Sequence, residues 1–400
     1  MISKKMQELV DGSSVIRAMF EEGKKMIAQY GADDVHDFSL GNPSIPPPAG
    51  INEIISDILN SERPASVHGY MNNAGYEDVR ASIAESLNKR FATNFASKNI
   101  LMTVGAAGGL NVIFKTLIDP GDEIIAFAPY FGEYRAYADN FGGKLVVVSP
   151  DAPFFQPNLA EFEEKLSEKT KAVIVNSPNN PTGVVYSLKT IKKMAEILRS
   201  AQKKFGAQIY LIADEPYREV VYDGVDVPYM PLYFENTIVG YSFSKSLSLP
   251  GQRIGYLVIP DEVADFENVI NGASVANRIL GYVNAPSLMQ RTVAKCLDMK
   301  TDIGGYNKNR EALYNGLTEA GYECVKPEGA FYLFVKSPIK SDAEFCAMAK
   351  KYHILIVPGS AFACPGYVRM AYCVAYDTII SALPKFKKLM EEVSQVESSR

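Results

Sequence analysis

The chain has 400 residues, 47% of them hydrophobic, and a formal net charge of -5 at pH 7. That length supports more than one globular unit around a sizeable core, and an acidic balance with lysines spread along the chain argues against a nucleic-acid binder. Five cysteines (Cys296, Cys324, Cys346, Cys364, Cys373) without CxxC spacing and three scattered histidines (His36, His68, His353) suggest neither a disulfide framework nor a metal site, and fit a reducing cytoplasm.

The N-terminal stretch MISKKMQELVDGSSVIRAMFEEGKKM carries charges every few residues and no apolar h-region, so it does not read as a signal peptide. No apolar run approaches the length of a membrane span. Met6, Leu9, Val10, Ile16, Met19 and Phe20 are spaced as an amphipathic helical segment broken at Asp11-Gly12-Ser13-Ser14 and expected to pack on the body of the protein. Further on, short apolar runs alternate with amphipathic stretches. Strands are predicted over 100–104, 123–127, 144–148, 172–176, 208–213, 237–243 and 255–259, with helices over 159–167 and 188–205 between them. Unbroken runs such as KAVIV and TIVGYSF suit strands covered on both faces, hence a mostly parallel sheet in a large α/β domain placed at residues 46–285. A helical reach over 284–317 follows, and then strand-like FYLFVK, HILIVPG and YVRMAYC. This pattern predicts a smaller α+β domain built from residues 286–400 together with 1–45. Neither a repeat nor a low-complexity tract marks a further module.

The segment Ser242-Phe243-Ser244-Lys245, with Arg253 in LPGQRIGY after it, joins an amine, two hydroxyls and a guanidinium within a short stretch. Such a set can hold a phosphorylated aldehyde covalently at one end and ionically at the other, which points to pyridoxal phosphate. In IADEPYREV, Asp214 ends an apolar strand. A carboxylate buried there needs a partner, and either a protonated pyridine nitrogen or a role as helix N-cap would supply one. Tyr217 offers a phenol to the O3′ of the same ring, or packs as a core aromatic. In NSPNNPTG, directly after KAVIV, Asn180 emerges where parallel strands place ligands, in a loop whose residues also suit a plain turn. Gly105, Ala106 and Ala107 in LMTVGAAGGLNVIF form a small-residue turn into a helix, either a phosphate cup or a tight turn without a ligand. The turn is not the GxGxxG of a dinucleotide site, which disfavours a dehydrogenase.

Taken together these motifs, from SLGNP near residue 40 to VRMAYC near 370, resemble in order and spacing the class I/II pyridoxal-phosphate aminotransferases of fold type I, the aspartate and aromatic aminotransferase superfamily. The resemblance implies a catalytic set in which Lys245 is the Schiff-base lysine, Asp214 the partner of the pyridine nitrogen and Tyr217, with Asn180, a ligand of O3′. It also implies that Ser242, Ser244, Arg253 and the turn at Gly105, Ala106 and Ala107 bind phosphate, and that Phe131 stacks on the cofactor ring. Tyr70 in HGYMNNAGY matches a tyrosine that reaches the phosphate of a neighbouring subunit, which implies a homodimer. Arg369 in YVRMAYC matches the clamp of the substrate α-carboxylate, helped by Gly41 and Asn180; without the family it reads as a structural ion pair.

Ala107 stands where some bacterial aspartate aminotransferases carry a lysine for the side-chain carboxylate, so that charge is missing from this turn. Arg278 in GASVANRILGYVNAP either reaches such a carboxylate or is solvated. The expected function is transfer of an amino group between an L-amino acid and a 2-oxo acid. A carbon–sulfur or elimination lyase of the same superfamily shares the apparatus. A non-catalytic regulator with the same domain would normally add an N-terminal helix-turn-helix, for which there is no room before residue 40.

Overall fold

The computed structural model describes residues 1–11 and 15–398. The N-terminal pattern forms helices α1 (Lys4–Asp11) and α2 (Val15–Tyr30). Asp11 is still helical, while the rest of the predicted break, Gly12-Ser13-Ser14, and the side chains of Ile16 and Phe20 lie outside the described residues. Packing on the body is corrected for α1: Met6, Leu9 and Val10 are exposed, and the helix is tied down by the Lys5–Asp139 ion pair at 2.9 Å. Met19 and Met26 of α2 do pack, in a small cluster with Val35 and Leu355.

The predicted strands of the large unit assemble into one seven-stranded sheet. They are β1 (Ile100–Thr103), β2 (Glu123–Phe127), β3 (Lys144–Val148), β4 (Thr170–Asn176), β5 (Tyr210–Asp214), β6 (Thr237–Ser242) and β7 (Gly255–Val258). Their order across the sheet is β1-β7-β6-β5-β4-β2-β3, with β7 antiparallel to both its neighbours and the remaining pairs parallel. Alternation along each strand explains the unbroken apolar runs. Ile125, Val173, Val175, Leu211, Ala213 and Val239 enter one core, and Ile124, Ala126, Ala172, Ile174, Ile212 and Ile238 enter the core on the other face. Helices α3 (Gly105–Leu117), α4 (Leu188–Phe205) and α5 (Phe266–Ile279) cover these faces: α4 contributes Ile191, Met194 and Leu198 to the first core, and α3 and α5 contribute Leu110, Ile113, Phe114, Val269 and Ala273 to the second. Ser187 starts α4 by accepting from Thr190 N–H, and Gly206 at φ +64° ends it in the left-handed conformation.

The C-terminal runs form a three-stranded antiparallel sheet of β8 (Tyr332–Lys336), β9 (Val357–Pro358) and β10 (Tyr367–Ala371), ordered β8-β10-β9. HILIVPG divides its pairing: Ile354 and Leu355 run parallel to His36 and Asp37, and Val357 and Pro358 pair with β10. The predicted helical reach over 284–317 is corrected to two helices, α6 (Ser287–Ala294) and α7 (Ile303–Glu319). The gap is built, not frayed. Thr301 donates through both its N–H and its hydroxyl to the carbonyl of Ser246, one residue beyond Lys245, and Asp302 then caps α7 by accepting from Gly304 N–H at 2.9 Å. With the C-terminal helix α8 (Tyr376–Ser398), these elements surround a third core of Phe38, Tyr306, Leu313, Phe331, Phe345 and Phe386. Tyr217, Val220 and Tyr222, which follow β5, also belong to it. Among the described residues no helix is long and apolar enough to cross a membrane, and no cluster of His, Cys, Asp or Glu is arranged to hold a metal.

Asp302→Ala should lower the free energy of unfolding by about 1 kcal/mol, the usual worth of an N-cap. Urea denaturation measures it; an unchanged midpoint would show that the α6–α7 break does not depend on this cap.

Candidate active site

The sheet register brings chemistry to one edge. Asn176 pairs with Asp214 and Asp214 with Gly240, while Ser242 and Thr103 both pair with Gly255, so the ends of β1, β4, β5 and β6 open side by side. A cavity of about 290 Å³ lies there. It is lined by Gly41, Ala106, Ala107, Phe131, Asn180, Asp214, Tyr217, Ser242, Ser244, Lys245, Arg253 and Arg369. Gly105, which starts α3 one residue before Ala106, is not itself among the lining residues. Of the residues singled out in the sequence, Tyr70 stands apart from this group, 92% exposed. A second cavity, of about 230 Å³, has Arg90, Glu219, Tyr241, Ser246 and Asp298 in its wall and none of the sequence-predicted site residues.

Asp214 is buried at the last position of β5. Its Oδ2 accepts a hydrogen bond from the Tyr134 hydroxyl, and its Oδ1 has no partner among the described residues. Burial pushes its pKa up to about 7, against the opposing pull of the Tyr134 bond, with Glu215 adding to the rise. The N-cap alternative is not realised, because no helix begins at Asp214. A buried carboxylate in the cavity wall, with one oxygen held and the other unpartnered, is a socket for a cationic donor.

Lys245 sits on the short helix Phe243–Ser246 that follows β6, and its Nζ donates to the Gly41 carbonyl at 2.8 Å. Burial lowers its pKa to about 8; Cys373 opposes this, and Arg369 and Arg253 add to it. Beside it, Ser242 Oγ accepts from Ser244 N–H at 3.1 Å and lies 2.7 Å from Ser244 Oγ. Arg253 is held by the carbonyls of Pro250 at 2.9 Å and Val104 at 3.3 Å. Gly105 has φ +78°, and a Cβ there would lie 2.8 Å from the Arg253 guanidinium. The left-handed backbone favours glycine here, and a side chain would also displace the Arg253 guanidinium. Two hydroxyls, a guanidinium and the N-terminus of a 13-residue helix thus converge on one end of the cavity, a donor set suited to phosphate.

At the other end Arg369 is buried on β10. It donates to the Ser39 carbonyl at 2.5 Å and to Asn180 Oδ1 at 3.1 Å, while its Nε is unpartnered among the described residues. Among the described residues no carboxylate is paired with it, so the ion-pair alternative is not realised there. Asn180 is itself placed by Asn176, whose Oδ1 accepts from Asn180 N–H at 2.7 Å and whose amide donates to the Asp214 carbonyl at 2.9 Å. Tyr217 shares a 2.9 Å hydrogen bond with the hydroxyl of Tyr332.

Tyr134 and Tyr332 are the site residues that the sequence reading missed. Tyr332 lay inside FYLFVK, whose strand pattern absorbed it; Tyr134 lay three residues after Phe131, at helical spacing in a short helix. Arg278 is exposed on α5 and does not line the cavity within the single chain.

The sheet order, the cavity at the strand ends and the lysine in it define an α/β enzyme of the aspartate aminotransferase fold. The structure matches an amino transferase from Eubacterium rectale with TM-score 0.95 at 45% identity, covering 98% of this chain and 99% of that one. It also matches the aspartate aminotransferase of Thermus thermophilus, solved with maleate, with TM-score 0.86 at 25% identity over 97% of this chain and 99% of that one. Among curated relatives, a probable aspartate/prephenate aminotransferase of Aquifex aeolicus is 32% identical over 90% of this chain and 92% of its own length, and the aspartate aminotransferase of Thermotoga maritima is 29% identical over 98% and 99%. The pattern that defines the family "Aminotransferase class I and II" spans residues 34–382. The chain belongs to that family and is an aminotransferase, of a kind that generally depends on pyridoxal phosphate.

Burial of the Asp214 charge carries a stability cost with a defined pH window. Its folded pKa is raised from 3.8 to about 7, so the cost is complete above pH 7 and vanishes as pH falls toward 4. Asp214→Asn should therefore stabilise the cofactor-free chain by about 1–3 kcal/mol at pH 8, with the gain fading by pH 4. Urea titrations at both pH values test this, and equal stability at pH 8 would contradict it.

Proposed function

We propose that this aminotransferase works with pyridoxal phosphate held by the residues described above. The unpartnered, buried Asp214 Oδ1 carries the reading, because it is the feature that a protonated pyridine nitrogen would complete. In this assignment Ser242, Ser244, Arg253 and the backbone at Gly105, Ala106 and Ala107 hold the phosphate, Asn180 and Tyr217 the O3′ oxygen, and Phe131 a face of the ring. Bound there, the cofactor supplies an electron sink for the charge left when an amino acid loses its Cα proton.

The chain's own residues do the rest. Lys245 Nζ would hold the cofactor at its aldehyde carbon and, once released by the substrate amine, would take the proton from the substrate Cα and deliver it to that carbon, C4′. A pKa near 8 leaves an appreciable neutral fraction for this near neutral pH. Arg369 binds the α-carboxylate, with Asn180 and the Gly41 backbone beside it, and so orients the Cα–H bond. We assign the large domain to residues 46–285 and the small one to 1–45 with 286–400; Arg369 on β10 then comes from the small domain and the cofactor set from the large one. We further propose a cytoplasmic homodimer in which Tyr70 completes the phosphate site of the partner subunit; its 92% exposure in the single chain fits a side chain that awaits a second copy. The substrates are an L-amino acid and a 2-oxo acid. Aspartate is a natural first donor to try, given the relatives' names, although Ala107 brings no charge to a second carboxylate.

The cofactor-loaded protein should show a visible absorbance band that bleaches with an L-amino donor and returns with a 2-oxo acid, without release of ammonia or sulfide. Lys245→Ala should abolish the cycle; a variant that still cycled would sink the mechanism. Arg369→Lys should raise KM for the donor roughly 10–100-fold, since it loses the bidentate fork. The same steady-state assay across a panel of donors identifies the substrate.

A further inference from the structure

We infer that Tyr332 is a positioning residue that serves both halves of the site at once: its hydroxyl sets the phenol of Tyr217, and its ring backs the guanidinium of Arg369. The inference rests on the functional reading above and adds to it a residue that links cofactor and substrate binding.

Tyr332 is buried on β8, where it pairs with Ala371 while Phe334 pairs with Arg369. This register makes Tyr332 and Arg369 diagonal neighbours on one face of the sheet. The Arg369 guanidinium carbon lies 4.6 Å from the centroid of the Tyr332 ring and 4.8 Å from that of Phe362. Two of its nitrogens are already committed to Ser39 and Asn180. The rings fix the remaining direction in which the fork can point, and a cation over an aromatic face in a buried site gains further attraction there.

The hydroxyl does different work. A phenol has one proton to donate. If Tyr217 donates its proton to a ligand oxygen in the cavity, the 2.9 Å bond between the two tyrosines must run from Tyr332 O–H to the Tyr217 oxygen. That incoming bond makes Tyr217 the stronger donor toward the cavity. The hydroxyl has little freedom to do otherwise. A Cβ at residue 41 would lie 2.0 Å from it, so the glycine backbone of Gly41 packs directly against it. The carbonyl of the same glycine accepts from Lys245 Nζ at 2.8 Å. One side chain therefore touches the neighbourhoods of the lysine, the phenol and the carboxylate clamp.

Two variants separate the two roles in the cofactor-loaded enzyme. Tyr332→Phe keeps the ring and removes the hydroxyl. It should weaken cofactor binding about five- to tenfold, read by quenching of protein fluorescence as cofactor is added. It should also move the pH midpoint of the visible band upward, because a weaker donor leaves more negative charge on O3′ to hold the neighbouring proton. KM for the amino donor should change less than about twofold. Tyr332→Leu removes the ring as well and should raise that KM about fivefold or more beyond Tyr332→Phe. Should Tyr332→Leu fail to fold, Tyr332→Phe alone decides the hydroxyl role, and Tyr332→Met tests the ring. A Tyr332→Phe enzyme with wild-type cofactor affinity and pH midpoint overturns the inference, as does a ring-free variant with unchanged KM. A wild-type protein that shows no visible band with the cofactor would instead overturn the functional reading on which the inference rests.

Discussion

The burial of Asp214 at the end of β5 is the constraint around which the site is organised. A carboxylate at that depth is costly, and the protein compensates only one of its oxygens, through Tyr134. Several features follow from leaving the other oxygen without a partner. Tyr134 must be buried too, and its ring meets Phe131 edge-on at 5.6 Å, so the residue that steadies the carboxylate also steadies the proposed stacking face. The Asp214 backbone is fixed in turn by the Asn176 amide, and Asn176 fixes Asn180. One strand end thus orients Asp214, the proposed ring-nitrogen partner, and Asn180, the proposed O3′ ligand, through two hydrogen bonds. Preorganisation of this kind spares the ligand the cost of ordering its own site.

Charge balance gives the cavity its direction. Lys245, Arg253 and Arg369 line it against the single carboxylate of Asp214. With so little anionic charge from the protein, the space favours a ligand that brings at least two anionic groups, one toward each arginine. The arginines differ in how they are held. Arg253 rests on backbone carbonyls beside a glycine that leaves it room, as a phosphate site at a helix start requires. Arg369 is set among aromatic rings and an amide oxygen, with a nitrogen left free. Lys245 stands between two cations that, together with burial, favour its neutral form. The charges proposed to bind the ligand therefore also favour the neutral lysine that the proposed proton transfer needs.

Much of this was legible in the sequence, for a physical reason. Parallel strands buried on both faces write continuous apolar runs, so 123–127, 144–148 and the helix 188–205 are found where periodicity places them. Polar residues just past such runs, namely Asn180, Asp214 and Lys245, stand out because nothing in the core explains them. The two tyrosines were invisible for the opposite reason. Tyr134 and Tyr332 satisfy helix and strand patterns as ordinary aromatics, and only a hydroxyl–carboxylate or hydroxyl–hydroxyl contact across the fold reveals what they do. The α6–α7 gap was missed because its cause is also distant: Thr301 leaves the helical path to hold the Ser246 carbonyl beside Lys245. Likewise the apolar face of α1 predicts burial without saying against what, and within one chain Met6, Leu9 and Val10 remain exposed.

These long-range contacts share a location, which bears on how the site is assembled. Tyr217 leaves the large sheet after β5 but packs in the third core with Phe331 and Tyr332. Lys245 lies beyond β6 but bonds to Gly41, from the N-terminal segment that leads to Phe38 of the same core. Arg369 lies on β10 and reaches Asn180 at the end of β4. Residues of the cavity are thus contributed from both sides of one boundary, which the Lys245–Gly41 and Arg369–Asn180 hydrogen bonds cross. Gly41, which accepts one of these bonds, packs directly against the hydroxyl of Tyr332, whose ring lies under Arg369. The small C-terminal sheet therefore contributes Tyr332 and Arg369 to the wall of the cavity, and its aromatic packing helps to place them there.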